Sequence, residues 1–392
     1  MNILFVVHSE LSEVAGSGIQ RVTQNLSEAF ISECGYNCFF AFYNRTTDSI
    51  IKNHSDKIQL IDGKEGDQLK IFIKAKDIDF VIFQNILGKP DLLKRVRSAV
   101  DWVGKCKLIF CLHVSPDSCL TKPSLQAEFF RLLRNSYTKV CLKRIPIALL
   151  PKFAYDFLAK QQTRGNFSTY NKYSDKIVLL SDSFIDTYCD MSGNTLGLID
   201  KVVAIPNPVS FCRNFSNDNL GKKKHEILVV ARISERQKRI SSVLQIWKLV
   251  QNKIDVKDWQ LIIVGGGEDE LFIKNKAERM NLVNISFEGH KDPQDYYQSA
   301  SVFMMTSAWE GFGMTLIEAQ QMGVVPIVFD SFTALHDIVV NDVSGLIIEN
   351  KNYDKYADKL INLIYNDDYR IKLAENSLNS YKKFSRDNIV KQ

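Results

Sequence analysis

Long hydrophobic runs are missing from this sequence. No stretch approaches the ~20 apolar residues of a membrane-spanning helix, so none is expected. Compositional bias is missing too: 19 Gly and 9 Pro among 392 residues exclude a collagen-like or low-complexity chain. With 45% hydrophobic residues there is enough apolar surface to offset chain entropy, which excludes disorder as the main state. Paired cysteines at C-x-x-C spacing are absent, which argues against a zinc ribbon or a thioredoxin-type site. The eight cysteines, Cys34, Cys38, Cys106, Cys111, Cys119, Cys141, Cys189 and Cys212, are read as buried, reduced thiols of a cytosolic protein. The opening MNILFVVHSE has no basic region, too short an apolar run and no small-residue cleavage site. It predicts a buried strand rather than a secretory leader.

What is present is a series of short, wholly apolar runs separated by longer amphipathic stretches. In the first half they are Ile3–Val7, Cys38–Tyr43, Phe80–Phe83, Leu108–Leu112 and Ile177–Leu180. In the second they are Ile227–Val230, Leu261–Val264, Val302–Met305, Pro326–Phe329 and Leu346–Ile348. Runs apolar on both faces suit parallel strands covered by helices on each side. Arg21–Ser32, Ser241–Val250 and Glu268–Asn281 carry helical spacing between them. The class is therefore α/β with doubly wound parallel sheets. At ~150 residues per domain the length suggests two. Pro206-Asn207-Pro208 and the lysine-rich stretch ending at Lys224 mark the boundary. The expected organisation is a first domain over 1–205, a linker over 206–225 and a second domain over 226–376, with a final helix at about 377–392 packing back on the first. Ligands of open α/β sheets bind beyond the carboxyl ends of strands, so the expected site is a cleft between the two domains.

Net charge is +5, unevenly spread. Segment 129–164 holds Arg131, Arg134, Lys139, Lys143, Arg144, Lys152, Lys160 and Arg164 against Asp156 alone, interleaved with Phe, Tyr and Leu. This pattern suits an anionic membrane surface, and equally a solvated basic face over ordinary core positions. No nucleic acid partner is expected.

Chemistry concentrates in Ser307–Gly323, SAWEGFGMTLIEAQQMG. A strand ends, Glu310-Gly311-Phe312-Gly313 turns, and Met314–Gln321 has helical composition. Glycines at such a turn let a ligand approach the backbone, and the helix's open N–H groups form an anion site, most naturally for phosphate. Carboxylates at Glu310 and Glu318 would lie ~12 Å apart on a continuous helix. That fits an elongated ligand of sugar, diphosphate and ribose.

This stretch resembles the Glu-x7-Glu signature of retaining glycosyltransferases of the GT-B fold, family 4 (glycosyl transferases group 1). VVARISERQKRI at 229–240, IIVGGGED at 262–269, VNISFEGH at 283–290 and IPNPV at 205–209 resemble the same family. The resemblance implies two Rossmann-like domains facing each other across a cleft, the second holding a nucleotide-diphosphate sugar and the first a glycan or lipid-linked acceptor. It implies Arg232 and Lys238 on the donor diphosphate, with Gly313, Met314 and Thr315. Glu318 would hold the ribose, and Glu310, Gly311 and Phe312 the transferred sugar. Ala15–Arg21 resembles the family's glycine-rich loop, which makes Gly18 a further diphosphate contact. His113, after a strand, matches the active-site histidine beside Glu310 in the catalytic set, and His290 borders the nucleobase. No Asp-x-Asp-like metal motif precedes a suitable strand end, and two cations plus a helix end make a metal unnecessary, so no metal or other cofactor is expected. The activity implied is retaining, metal-independent glycosyl transfer in bacterial surface polysaccharide or lipopolysaccharide synthesis, in the cytoplasm and peripheral at the inner face of its membrane. The alternatives are a nucleotide-sugar processing enzyme of the same fold (an epimerase or a glycogen-synthase-like polymerase) and a non-catalytic nucleotide-sugar binding protein.

Overall fold

The computed structural model describes residues 1–12, 18–45, 49–51, 53–84, 90–120, 145–193, 200–211 and 215–392. It divides into two compact units, one of Met1–Pro208 with Arg386–Gln392 and one of Val209–Ser385.

Among the described residues the first unit has a seven-stranded sheet: β1 (Asn2–Ser9), β2 (Asn37–Asn44), β3 (Lys57–Gln59), β4 (Phe80–Gln84), β5 (Lys107–Cys111), β6 (Lys176–Leu179) and β7 (Val202–Ala204). Its order is β3-β2-β1-β4-β5-β6-β7, every pair parallel. Leu4, Phe5, Val6, Val81, Leu108, Phe110 and Ile177 are fully buried, as expected for strands covered on both faces. The tail returns to this unit from Arg386. Its guanidinium donates to Asn25 Oδ1 at 3.0 Å and pairs with Glu28 at 3.4 Å.

The second unit has six strands: β8 (Lys224–Val230), β9 (Gln260–Val264), β10 (Ile285–Gly289), β11 (Ala300–Met305), β12 (Val325–Asp330) and β13 (Leu346–Glu349). They run β10-β9-β8-β11-β12-β13, again all parallel. The chain thus winds outward from β8 to one edge, then returns to its other side at β11. The place where strand order reverses is a topological switch point, and a crevice opens there beyond the carboxyl ends. In the second unit it lies between β8 and β11, in the first between β1 and β4.

The ten apolar runs lie on ten of these strands. The other three, β3, β7 and β10, are all sheet edges, and each is only partly buried over most of its length. An edge strand has one strand neighbour and less helix cover, so it carries fewer apolar residues and a weaker signal.

Burial raises the thiols of Cys38, Cys106 and Cys111 to about 12, and these cysteines are free, as are Cys34, Cys119 and Cys189. Cys141 and Cys212 lie outside the described residues. Among the described residues no helix is long and apolar enough to cross a membrane.

Candidate active site

The loop after β8, Ala231–Arg239, is clamped from both sides. On the β9 side, Ala231 N–H donates to Val264 O (3.1 Å) and Ile233 N–H to Gly266 O (2.9 Å). The backbones come so close that a Cβ on Gly265 would lie 2.0 Å from Ala231 O, and one on Gly267 2.5 Å from Ile233 O. Only glycine fits there, and Gly265 also has φ +134°. Asp269, 3% exposed, accepts from the Glu235 N–H at 2.8 Å, and Glu235 accepts from the Ser241 N–H at 2.8 Å. On the β11 side, Ala308 N–H donates to Gln237 O (2.6 Å), and the Thr306 hydroxyl reaches Lys238 O and Arg239 O at 3.0 Å. Gln237 donates to Trp309 O at 3.3 Å, and the Arg236 guanidinium lies over the Trp309 ring. Arg239 caps the next helix in a left-handed conformation and donates to Asn350.

These clamps bring Lys238 and Glu310 together, Nζ to Oε1 at 2.6 Å, with side chains 16% and 9% exposed. The pair sits just beyond the β8–β11 switch point. Arg232 stands exposed at the same edge, its guanidinium 3.4 Å from Gln237 Oε1. Gly313, with φ +99°, caps the helix Met314–Gln321 and turns the chain sharply into it. Leu316 N–H bonds back to Gly313 O, which leaves the N–H groups of Met314 and Thr315 at the open, electropositive helix end. Phe312 places its side chain in the core, edge-on to Phe384, so it offers a ligand only backbone.

Glu318 lies one turn further, fully buried, with Oε1 accepting from the Ser210 hydroxyl at 2.6 Å. Sequence reading did not single out Ser210. Nor did it single out Gln237, Thr306 or Asp269. His290 is exposed just past β10.

Two candidates lie in the first unit. His113 follows β5, its Nε2 against Oε1 of Gln84, the last residue of β4. Burial lowers its pKa to about 4, so the ring is neutral at neutral pH. Gly18 opens the helix Gly18–Cys34 with ordinary φ, and a Cβ there would meet nothing within 4 Å. The rest of the glycine-rich loop, 13–17, falls outside the described residues, as does 129–144 of the basic segment. Among the described residues no cluster of three His, Cys, Asp or Glu side chains could hold a metal.

Two doubly wound domains with these strand orders define the GT-B architecture, the fold of a large class of glycosyltransferases. Solved structures agree across the whole chain. A lipopolysaccharide outer core galactosyltransferase, WaaB in its apo form, aligns with TM-score 0.65 at 18% identity, covering 100% of this chain and 97% of that one. HepE of Anabaena, solved in complex with UDP-glucose, aligns with TM-score 0.69 at 13% identity over 100% and 98%. Residues 213–380, nearly all of the second unit, match the family model of glycosyl transferases group 1. Among curated relatives, the amylovoran biosynthesis glycosyltransferase AmsD of Erwinia amylovora is 30% identical over 164 residues, 41% of this chain and 45% of AmsD. The poly(glycerol-phosphate) alpha-glucosyltransferase of Bacillus subtilis is 27% identical over 174 residues, 44% of this chain and 25% of that protein. The chain therefore spans between a quarter and a half of the length of these relatives.

Proposed function

We propose that this protein is a retaining, metal-independent glycosyltransferase that moves a sugar from a nucleoside-diphosphate sugar to a glycan or lipid-linked acceptor in bacterial surface polysaccharide synthesis. The observation that carries the reading is the Lys238–Glu310 pair at the second unit's switch point, with Arg232 and the open end of helix Met314–Gln321 at the same edge. One cation held by a carboxylate, one free toward solvent and a helix end form an arrangement for a diphosphate with a sugar beyond it.

In the proposed reaction the bond from the sugar's anomeric carbon to the diphosphate oxygen breaks. The acceptor hydroxyl oxygen forms its bond to that carbon from the same face, and its proton passes to the leaving phosphate oxygen. Charge grows on the diphosphate as it departs. Arg232, Lys238 and the N–H groups of Met314 and Thr315 meet that charge, so no metal is needed. Glu310 faces the sugar and supports its oxocarbenium character. Glu318 takes the ribose hydroxyls, with Ser210 donating in their place when no nucleotide is bound. His290 borders the base. His113 serves the acceptor side as a neutral imidazole, with Gly18 at the diphosphate. HepE's UDP-glucose complex makes uridine diphosphate sugars the first donors to assay.

Isothermal titration with nucleoside diphosphate tests the roles. Glu318→Ala should weaken binding, because ribose contacts exist in ground and transition states alike. Glu310→Ala should spare affinity and lower turnover. Unchanged affinity in the Glu318 variant overturns the assignment. Activity lost on EDTA treatment and restored by magnesium or manganese overturns metal independence.

The peripheral attachment has support in the helix Lys152–Tyr173 and the residues before it. Leu149, Phe153 and Phe157, four residues apart, are 63%, 78% and 62% exposed beside Lys152, Lys160 and Arg164. A basic face carrying exposed aromatics fits the surface of an anionic leaflet. Salt-sensitive co-sedimentation with phosphatidylglycerol vesicles is expected, lost in Phe153→Ser/Phe157→Ser; equal binding to neutral vesicles overturns it.

A further inference from the structure

At the opposite, amino-terminal edge of the second sheet lies a cavity of about 80 Å³, room for several waters or one tetrahedral oxyanion. Its lining includes Lys223 and His225 around the start of β8, Ser301 at the start of β11, Gly323, and Asp367 and Arg370 of the helix Asp367–Ser380. Lys223, Arg370 and His225 stand there against one carboxylate, Asp367.

That carboxylate is already engaged, accepting from Arg370 at 2.6 Å. Arg370 is 8% exposed, and its other terminal nitrogen donates to Leu363 O. The guanidinium lies over Trp259, and His225 stacks on the same ring with centroids 4.8 Å apart. One guanidinium and one imidazole thus pack around a single indole.

Lys223 is the anomaly. Its Nζ donates to Tyr297 O at 2.8 Å and lies 4.2 Å from the Phe215 ring centroid. Among the described residues it forms no ion pair. Glu226 acts on it only at longer range; that carboxylate accepts from the Ser299 hydroxyl at 2.6 Å and lies 3.7 Å from Lys224. Burial accordingly pushes the lysine's pKa down to about 7. Buried ammonium groups are ordinarily paired, because desolvation without a counter-charge is costly. Lys223 is also among the residues that line a polar cavity with a fixed guanidinium in its wall.

We infer that the cavity is a second anion site, taking a phosphate-sized oxyanion between Lys223, His225 and Arg370, apart from the donor site at the other edge of the sheet. The ligand class is inorganic phosphate or the terminal phosphate of a small phosphorylated metabolite. The bound anion supplies Lys223 with its missing counter-charge. The site stands independently of the donor reading.

The test uses the full chain and inorganic phosphate against chloride at matched ionic strength. Phosphate should raise the melting temperature of the wild type and of Arg232→Ala, but not of Lys223→Met. Lys223→Met should still respond to nucleoside diphosphate. Glucose 6-phosphate against glucose then separates a phosphorylated metabolite from free phosphate: a response to the ester identifies the former, and a response to phosphate alone the latter. A second measurement needs no variant. In competitive amine labelling read by mass spectrometry, phosphate should slow labelling of Lys223 several-fold while leaving its exposed neighbours Lys222 and Lys224 unchanged. Equal phosphate responses in wild type and Lys223→Met, or labelling of Lys223 that phosphate does not slow, overturn the proposal.

Discussion

The two sheets share the order of their first six strands and differ in what they carry where that order reverses. Beyond β8 and β11 the second unit presents Arg232, the Lys238–Glu310 pair and an open helix end, on loops bonded to each other. Beyond β1 and β4 the described residues of the first unit hold Glu10, 3% exposed and paired with Lys57 at 2.7 Å. That pair ties the end of β1 to the edge strand β3. Beside it, Gln84 meets a neutral His113. The second unit keeps an exposed cation, Arg232, beside its nearly buried ion pair, whereas the first unit's pair ties two strands together. Identical topology provides a crevice; its chemistry depends on which side chains the loops fix there.

The largest break in this comparison should come from Gly265→Ala. Its Cβ would lie 2.0 Å from Ala231 O at φ +134°, and neither backbone can move without separating the β8 and β9 loops. The second unit should lose upwards of ~3 kcal/mol, read as a lower denaturant midpoint. An unchanged midpoint means that the clamp is not rigid.

Next are the cations. Arg232→Ala and Lys238→Ala should each cost about 2–4 kcal/mol in turnover, as lost stabilisation of the departing diphosphate. Lys238→Ala should also destabilise the fold, because it strips a nearly buried Glu310 of its counter-ion, whereas exposed Arg232 should not. Equal stability losses would show that Lys238 does not hold Glu310 in the free protein.

A subtler contrast lies in pH dependence. Each unit holds a base whose pKa desolvation depresses on folding, His113 from 6.5 to about 4 and Lys223 from 10.5 to about 7. Within each window the unfolded chain binds the extra proton, so stability rises with pH there and is lost as pH falls back through it. His113→Gln should flatten the limb between about pH 4 and 6.5, and Lys223→Met the limb between about pH 7 and 10.5. Urea midpoints across pH read both.

The smallest effect is expected at Gly18. With open space around it and ordinary φ, Gly18→Ala should change stability by only a few tenths of a kcal/mol, in the stabilising direction. A loss of turnover without a loss of stability would then report a backbone–ligand contact and make the first unit's glycine a functional counterpart of Gly313.

Sequence alone determined the class and the strand ladder wherever strands are covered on both faces, since double burial demands unbroken apolar runs such as Val302–Met305. It also marked the turn at Gly311 and Gly313 and the carboxylates around it, because glycines between a strand and a helix have few other uses. The edge strand β10 has a diluted pattern and was signalled by the resemblance of VNISFEGH, not by an apolar run. Only the tertiary structure decided the edge strands β3 and β7, whose partial burial leaves the same dilution. Only it showed that Glu318 is closed over by Ser210, 108 residues away in sequence, and that Lys238 rather than its basic neighbours faces Glu310. Those pairings come from loops on different strands meeting at the reversal of strand order. No local spacing encodes such a meeting, because the distance along the chain between the partners carries no information about their distance in space.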